Sequence, residues 1–545
     1  MKILVVQLLR LGDVILSSPV LQGLRDQYPD AEIDLLINKQ FENILGLLPK
    51  VDNYFTFDRE LIQTSLGEKE RFVFEGYDRV DSLIQELQAR GYDQILNLTH
   101  NRLSAYIVGG IECRERVGLW INDNNKAFIE TAWFQHLNRD NLAEASERFH
   151  YVDIYKSSAQ INRPRLGISI YETADSIRNA EAYLRPFRSN RNIVIQALTS
   201  DAKKNWGVDR FRACVQDIYR SLPDCHFTIL GAPSEETTLV SGFADLSYCK
   251  VLICDLAMAY SVIARSDLLI TGDTSIKHLA AATKTPVIEL SLGSSDFRRT
   301  GCYSEKAIII QTQEACAPCS HFTGCHRTEH FCSRLISSEL VSLVATDLIR
   351  NQSSQLKRIA EEFSDQAKIY RVDIQTTGTW TAVEVSSPFS EQQVSEIFHK
   401  FATKLYVQHC SQEQSVFEIF GSESDRLMTL LKNTFGKQEW KKLLSDLEKK
   451  FCLIEDRVSL LETRYYEFRK TSKDAHLANE LLRDIQSLRE TPRSTAAKFQ
   501  MTYSVNDQMP AFVRLRKVQL LLQEVKLKSD IELKLIRSLQ NSMEA

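Results

Sequence analysis

Ile270-Thr271-Gly272-Asp273-Thr274-Ser275-Ile276-Lys277-His278-Leu279-Ala280-Ala281-Ala282 is the stretch on which the reading of the fold turns. The apolar run Asp267 to Ile270 (DLLI) reads as a buried parallel strand. It breaks at Gly272-Asp273-Thr274-Ser275, and a helix of small residues follows. Strand, polar turn and helix start is how an open α/β sheet presents free backbone N–H groups and a positive dipole end to an anion. Asp273, Thr274 or Ser275 can cap that helix, and His278 falls one turn in, near the same mouth. A capped helix and a phosphate site fit these residues equally well, so other parts of the chain have to converge on them.

Working outward, Pro286 to Leu290 (PVIEL) is a second strand, leading into the loop Gly293-Ser294-Ser295-Asp296. Upstream, Asn192 to Ala197 (NIVIQA) is a buried strand ending in Thr199-Ser200-Asp201-Ala202-Lys203-Lys204, with a helix from about Val208. Hydroxyls and two ammonium groups at such a turn suit phosphate oxygens, although a solvated loop has the same composition. His226 to Leu230 (HFTIL) runs into a turn carrying Glu235 and Glu236, which either complement a helix dipole or accept from ribose hydroxyls.

The N-terminal half repeats the pattern. Lys2 to Gln7 (KILVVQ), Ile33 to Ile37 and Asp93 to Leu98 (DQILNL) read as strands. A helix containing Val14, Leu16, Val20, Leu21 and Leu24 at helical spacing tolerates Pro19 in its early turns. Alternating strands and helices mean a parallel, doubly wound sheet. Asp13 then lies beyond the first strand's carboxyl end, where such sheets bind ligands. The fold class is therefore α/β: two Rossmann-like units, 1–163 and 164–350, facing a cleft. Arg10 and Arg102 are candidates for binding a phosphorylated group, the acceptor under the family resemblance set out next, while Arg114 and Arg116 read as surface residues.

Three segments in order, LGDVILSSPVLQGLR (11–25), TSDAKKNW (199–206) and TGDTSIKHLAAA (271–282), resemble the bacterial heptosyltransferases of glycosyltransferase family 9 over about residues 1–350. The resemblance implies a GT-B fold and an inverting transfer of heptose or a similar sugar from a nucleotide donor, typically ADP-heptose. The implied acceptor is lipopolysaccharide core or another cell-envelope glycolipid, and catalysis needs no metal. It assigns Asp13 as general base and Lys204 to the phosphates, with Thr199 and Ser200 beside it. Asp273, Thr274, Ser275 and His278 become the nucleotide-sugar motif, and Glu235 or Glu236 the acidic residue near the ribose. Ser275 stands where the family usually has Gly, which sets a side chain against the phosphate approach. Two alternatives stay open: a protein O-glycosyltransferase using the same donor, and a non-catalytic GT-B-like scaffold acting through its C-terminal helices.

The chain has 545 residues, 67 basic and 71 acidic, and 12 cysteines. That balance carries no nucleic-acid signature. Arg10 and Asp13 interrupt the N-terminal apolar run, against a signal peptide, and no apolar stretch reaches membrane-spanning length. A cytoplasmic location is expected, peripheral on the inner face of the membrane where the acceptor is a glycolipid. Cys316, Cys319, Cys325 and Cys332 follow C-x2-C-x5-C-x6-C, a spacing suited to tetrahedral zinc or iron; free buried thiols fit as well. In the autotransporter heptosyltransferases of the family similar sets look like iron sites, which implies a structural metal away from the chemistry.

Composition shifts near residue 350, after which only Gly378, Gly421 and Gly436 occur. Residues 351–545 are expected to form a mainly helical domain opening with a β-hairpin at 369–386. Leu444, Leu447, Phe451, Ile454, Val458, Leu461, Tyr465 and Phe468 form a heptad seam within a helix over 440–470. A last helix spans roughly 510–539. An intramolecular bundle, a homo-oligomeric coil and a basic membrane-facing end all fit this region.

Overall fold

The structure is a computed structural model. It describes residues 1–59, 73–140, 148–163, 165–320, 323–325, 327, 330–350, 354–374 and 379–386, with isolated positions within 400–407, 445–449 and 526–540. The heptad helix over 440–470 and most of the last helix lie outside the described residues.

The chain divides into two compact units. In the first, two sheets are built as the sequence implies. One contains β1 (Lys2–Gln7), β2 (Glu32–Asn38), β3 (Asn53–Phe57), β4 (Gln94–Asn97), β5 (Glu115–Ile121) and β6 (Ala127–Glu130) in the order β3-β2-β1-β4-β5-β6. Strands β1 to β5 are parallel and β6 is antiparallel to β5. The other contains β7 (Arg191–Gln196), β8 (Cys225–Gly231), β9 (Cys249–Ile253), β10 (Leu268–Gly272), β11 (Val287–Ser291), β12 (Ala307–Thr312), β13 (Ala367–Asp373) and β14 (Thr381–Glu384), in the order β14-β13-β12-β11-β10-β7-β8-β9. Its central strands are continuous apolar runs buried along their length, such as Ile193 to Ile195 and Leu268 to Ile270. Burial on both faces is what crossover helices impose on a parallel sheet.

Strand order reverses beside β1 in the first sheet and beside β7 in the second. A crevice opens at such a switch point because the crossovers leave in opposite directions. Asp13 follows β1, the Thr199–Lys204 turn follows β7, and Asp273 follows β10, the neighbour of β7 at the reversal. All three turns therefore stand at carboxyl-end crevices.

Three expectations are corrected. The helix after β1 is two helices, Leu11–Leu16 and Ser18–Gln27, broken at Ser17 because Pro19 sits in the second helix's first turn, where its missing N–H costs nothing. The hairpin over 369–386 exists as β13 and β14, with Tyr370 opposite Glu384 and Asp373 opposite Thr381. It belongs to the second sheet, since β13 pairs antiparallel with β12, so the boundary set at 350 falls inside that sheet's unit. The first domain is likewise not continuous to 163: residues 132–149 group with 376–378 and 388–545 in the second unit.

In that second unit the helix Ala132–Asp140 buries Trp133, Phe134 and Leu137. The Trp133 ring meets Phe149 edge-on at 5.2 Å, and the Lys400 ammonium lies 5.5 Å from the Phe149 ring. Ile531, Leu533, Leu535 and Ile536 are buried, and Gln540 donates to Glu448 at 2.8 Å. Among the described residues, no helix is long and apolar enough to cross a membrane.

Candidate functional site

The turn after β10 is the centre of the site. Thr274 is the N-cap of the helix Ser275–Ala281 by backbone conformation but makes no side-chain cap bond; its hydroxyl lies 3.2 Å from that of Thr271. Ser275 is the helix's first residue, and Gly272 gives the turn its close approach. A Cβ at Gly272 would come within 3.1 Å of Thr199 Cγ2.

Asp273 does not cap the helix, because two ammonium groups take it. Lys204 Nζ reaches its Oδ2 and Lys277 Nζ its Oδ1, each at 2.5 Å. Lys277 also reaches Glu289 Oε1 at 2.5 Å, and Glu289 Oε2 accepts from the Cys302 N–H at 2.7 Å. Side chains of Lys277 and Glu289 are wholly buried, while Lys204 and Asp273 keep a small opening to solvent. Burial opposes the charge on Asp273, but Lys277 and Lys204 overcome it and hold the carboxyl far below the usual range. Burial likewise opposes the Lys277 charge, and Asp273 and Glu289 outweigh it. Burial pushes the Glu289 carboxyl up, with Lys277 pulling back.

Asp13 sits in the first turn of Leu11–Leu16, where its Oδ2 accepts from the Arg10 N–H at 3.1 Å. Burial raises its carboxyl to about 6; the Arg10 N–H and guanidinium oppose this, Asp273 adds to it and Lys204 subtracts. Asp13 thus lies within electrostatic reach of the Asp273–Lys204 pair although it hangs from the other sheet. The two helices meet directly: a Cβ on Gly12 would come within 3.1 Å of the His278 ring. His278 is buried, its Nδ1 has no hydrogen-bond partner among the described residues, and burial keeps the imidazole neutral.

Of the remaining expected residues, Thr199 stays at this mouth, its hydroxyl donating to the Asp201 carbonyl at 2.7 Å. Ser200 is exposed. Glu235 reaches back to the Ala232 N–H at 2.9 Å as a helix cap, and Glu236 is exposed at the start of its helix. Arg10 and Arg102 are exposed, Arg102 donating to the Tyr106 hydroxyl at 3.0 Å.

Residues that sequence reading missed complete the walls. Lys277 and Glu289 were visible as charges embedded in a small-residue helix and an apolar strand, a pattern that demands a partner. Gln7 ends β1 buried, its side chain facing the Tyr155 hydroxyl. His100, beyond β4, stacks at 6.0 Å on Tyr155, and burial with the nearby Arg299 charge lowers it to about 3. Burial and then the Asp13 charge push the Tyr155 hydroxyl well up.

The cysteine segment adjoins the Thr199–Lys204 turn and the loop after β11. The Cys319 N–H donates to the Gly293 carbonyl at 2.8 Å. The Lys203 ammonium, next in sequence to Lys204, donates to the carbonyls of Ser320 at 2.7 Å and Thr323 at 2.8 Å. Gly293 has φ +55, and a Cβ there would strike the Lys203 carbonyl, so only glycine lets these turns touch. Burial raises the Cys332 thiol, and Cys316, Cys319 and Cys325 raise it further, so the four thiols share one neighbourhood. Among the described residues, no three His, Cys, Asp or Glu side chains are placed to hold a metal ion.

Residues 80–327 match the profile of glycosyltransferase family 9 (heptosyltransferase). The chain is 26% identical over 304 residues to lipopolysaccharide heptosyltransferase 3 of Escherichia coli K12, covering 52% of this chain and 80% of that protein. It is 21% identical to lipopolysaccharide heptosyltransferase 1 of Campylobacter coli, covering 65% of this chain and all of the relative. The crystal structure of the family 9 glycosyl transferase from Veillonella parvula matches 64% of this chain and 97% of its own, with a TM-score of 0.50 at 20% identity, which establishes the shared fold.

Proposed function

We propose that this chain, a heptosyltransferase-like glycosyltransferase of family 9, moves a heptose or similar sugar from ADP-heptose to a lipopolysaccharide-core or related glycolipid acceptor. The observation that carries the reading is the convergence of Asp13 on the Asp273–Lys204 pair across two switch points. The relatives named lipopolysaccharide heptosyltransferases supply the substrate class.

An acceptor hydroxyl is a weak nucleophile, and Asp13 takes its proton as the hydroxyl oxygen bonds to the anomeric carbon. The bond from that carbon to the phosphate oxygen breaks on the opposite face, inverting the centre, and its electron pair leaves with the nucleoside diphosphate. Lys204 and the uncapped N–H groups at Ser275 meet the growing charge. His278, kept neutral, serves as a hydrogen-bonding wall. Thr199 and Ser200 flank the phosphates, Glu235 or Glu236 the ribose, and Arg10 and Arg102 the acceptor. The enzyme works as a peripheral protein at the cytoplasmic face of the membrane. A structural zinc or iron ion at Cys316, Cys319, Cys325 and Cys332 is a separate part of the proposal; it rests on the C-x2-C-x5-C-x6-C spacing and not on the placement of the thiols, and folded protein free of metal by elemental analysis removes it.

Calorimetric titration with ADP, ADP-heptose, UDP and GDP tests the donor. Selective binding of the adenine compounds, weakened by Lys204→Ala, supports the reading; absence of binding to all four contradicts it.

A further inference from the structure

The Asp273 carboxylate has two cations, and they are not equivalent. Lys204 comes from the turn after β7 and keeps an opening to solvent. Lys277 comes from the helix that Asp273 precedes, is wholly buried, and is pinned on its far side by Glu289. Glu289 is in turn fixed by the Cys302 N–H at 2.7 Å. The four charges cancel in pairs, and a buried group of zero net charge is the tolerable form of such a cluster.

An incoming diphosphate needs a cation, and Lys204 is the one at the mouth. If Lys204 were the sole partner of Asp273, moving it would strand a buried carboxylate, at a cost opposing ligand binding. We propose that Lys277, anchored by Glu289, is the permanent counter-ion of Asp273, so that Lys204 acts as an exchangeable one and swings from Asp273 to the donor diphosphate. Lys277 and Glu289 are thus positioning residues that touch no substrate. The inference rests on the nucleotide-sugar reading above and adds to it the device that makes Lys204 available.

Two substitutions move the outcome in opposite directions. Lys277→Met leaves Lys204 as the only cation on Asp273, so Lys204 is held back and ADP binds about tenfold more weakly, within the usual range for coupled sites. Glu289→Gln keeps the hydrogen-bonding shape but leaves Lys277 wholly to Asp273. The hold on Lys204 loosens and ADP binds more tightly, by about fivefold on the same scale. A merely structural role for the pair moves both variants toward weaker binding. The experiment is calorimetry of the full chain with ADP and with inorganic pyrophosphate, alongside melting curves. Opposite signs for the two variants support the inference. Should Lys277→Met fail to fold, Glu289→Gln decides alone: tighter ADP supports it, unchanged or weaker ADP overturns it. Wild-type protein that binds ADP while both variants shift the same way overturns this inference only. Wild-type protein that binds neither ADP nor pyrophosphate overturns it together with the nucleotide reading.

Discussion

Asp13 and Asp273 occupy matching places, each in the turn beyond a central strand of its own sheet, yet their carboxyls are driven in opposite directions. Asp13 has dense surroundings, one backbone N–H, the exposed Arg10 and a weaker pull from Lys204 that Asp273 opposes, and its proton affinity rises to about 6. Asp273 has two ammonium groups at 2.5 Å and stays an anion. Burial alone pushes both upward; fixed cations decide which aspartate keeps its charge. One crevice thus carries a group able to gain a proton near neutral pH and another that holds its charge permanently. Those are the needs of a base and of an electrostatic clamp.

The largest way to break this pairing is Asp13→Asn. Transfer to acceptor falls by about 10² to 10⁴-fold, the usual worth of a positioned base, while calorimetry shows ADP binding preserved. Its effect on stability depends on pH. A carboxyl whose folded value lies above its unfolded one contributes stability that is complete below the unfolded value near 3.8 and is lost as pH rises through about 6. Wild-type protein therefore gives up roughly 2–3 kcal/mol between pH 4 and 7 that the Asn variant keeps. Melting curves should coincide at pH 4 and separate at pH 7.5, with the variant higher.

Asp273→Asn is the counterpart, with a smaller effect on rate and a larger one on the fold. It leaves Lys204 without its carboxylate and Lys277 with Glu289 alone, at a cost of about 3 kcal/mol, typical of breaking a buried pair. The sign is opposite to that of Asp13. A depressed carboxyl contributes its stability above the unfolded value and loses it only as pH falls through the folded one, here far below neutral. The loss in denaturant midpoint should therefore be constant from pH 5 to 8, and a loss that vanishes in that window contradicts the clamp.

Much of this was legible in the sequence. Apolar strands ending in polar turns announce two parallel sheets, and the turns at Asp13, Lys204 and Asp273 all fall where strand order reverses. The buried pair Lys277–Glu289 was not read, because periodicity places both on apolar faces while the ion pair joins a helix to a strand that follows it. Register across the sheet creates that contact, and a single segment carries no sign of it. The boundary near 350 misled for a related reason. Glycine content falls there, but the antiparallel pairing of β13 with β12 continues the second sheet to Glu384. The place of the cysteine segment beside the Thr199–Lys204 turn was not read because the Lys203 and Gly293 contacts bridge turns far apart in sequence.

The most direct test of the contrast is carboxyl titration by ¹³C NMR on protein labelled at aspartate, with the two resonances assigned by Asp13→Asn and Asp273→Asn. The account expects the Asp13 signal to titrate near pH 6 and the Asp273 signal to stay flat from pH 4 to 8. An Asp13 carboxyl titrating at or below 4, or an Asp273 carboxyl that takes up a proton above pH 4, would contradict it.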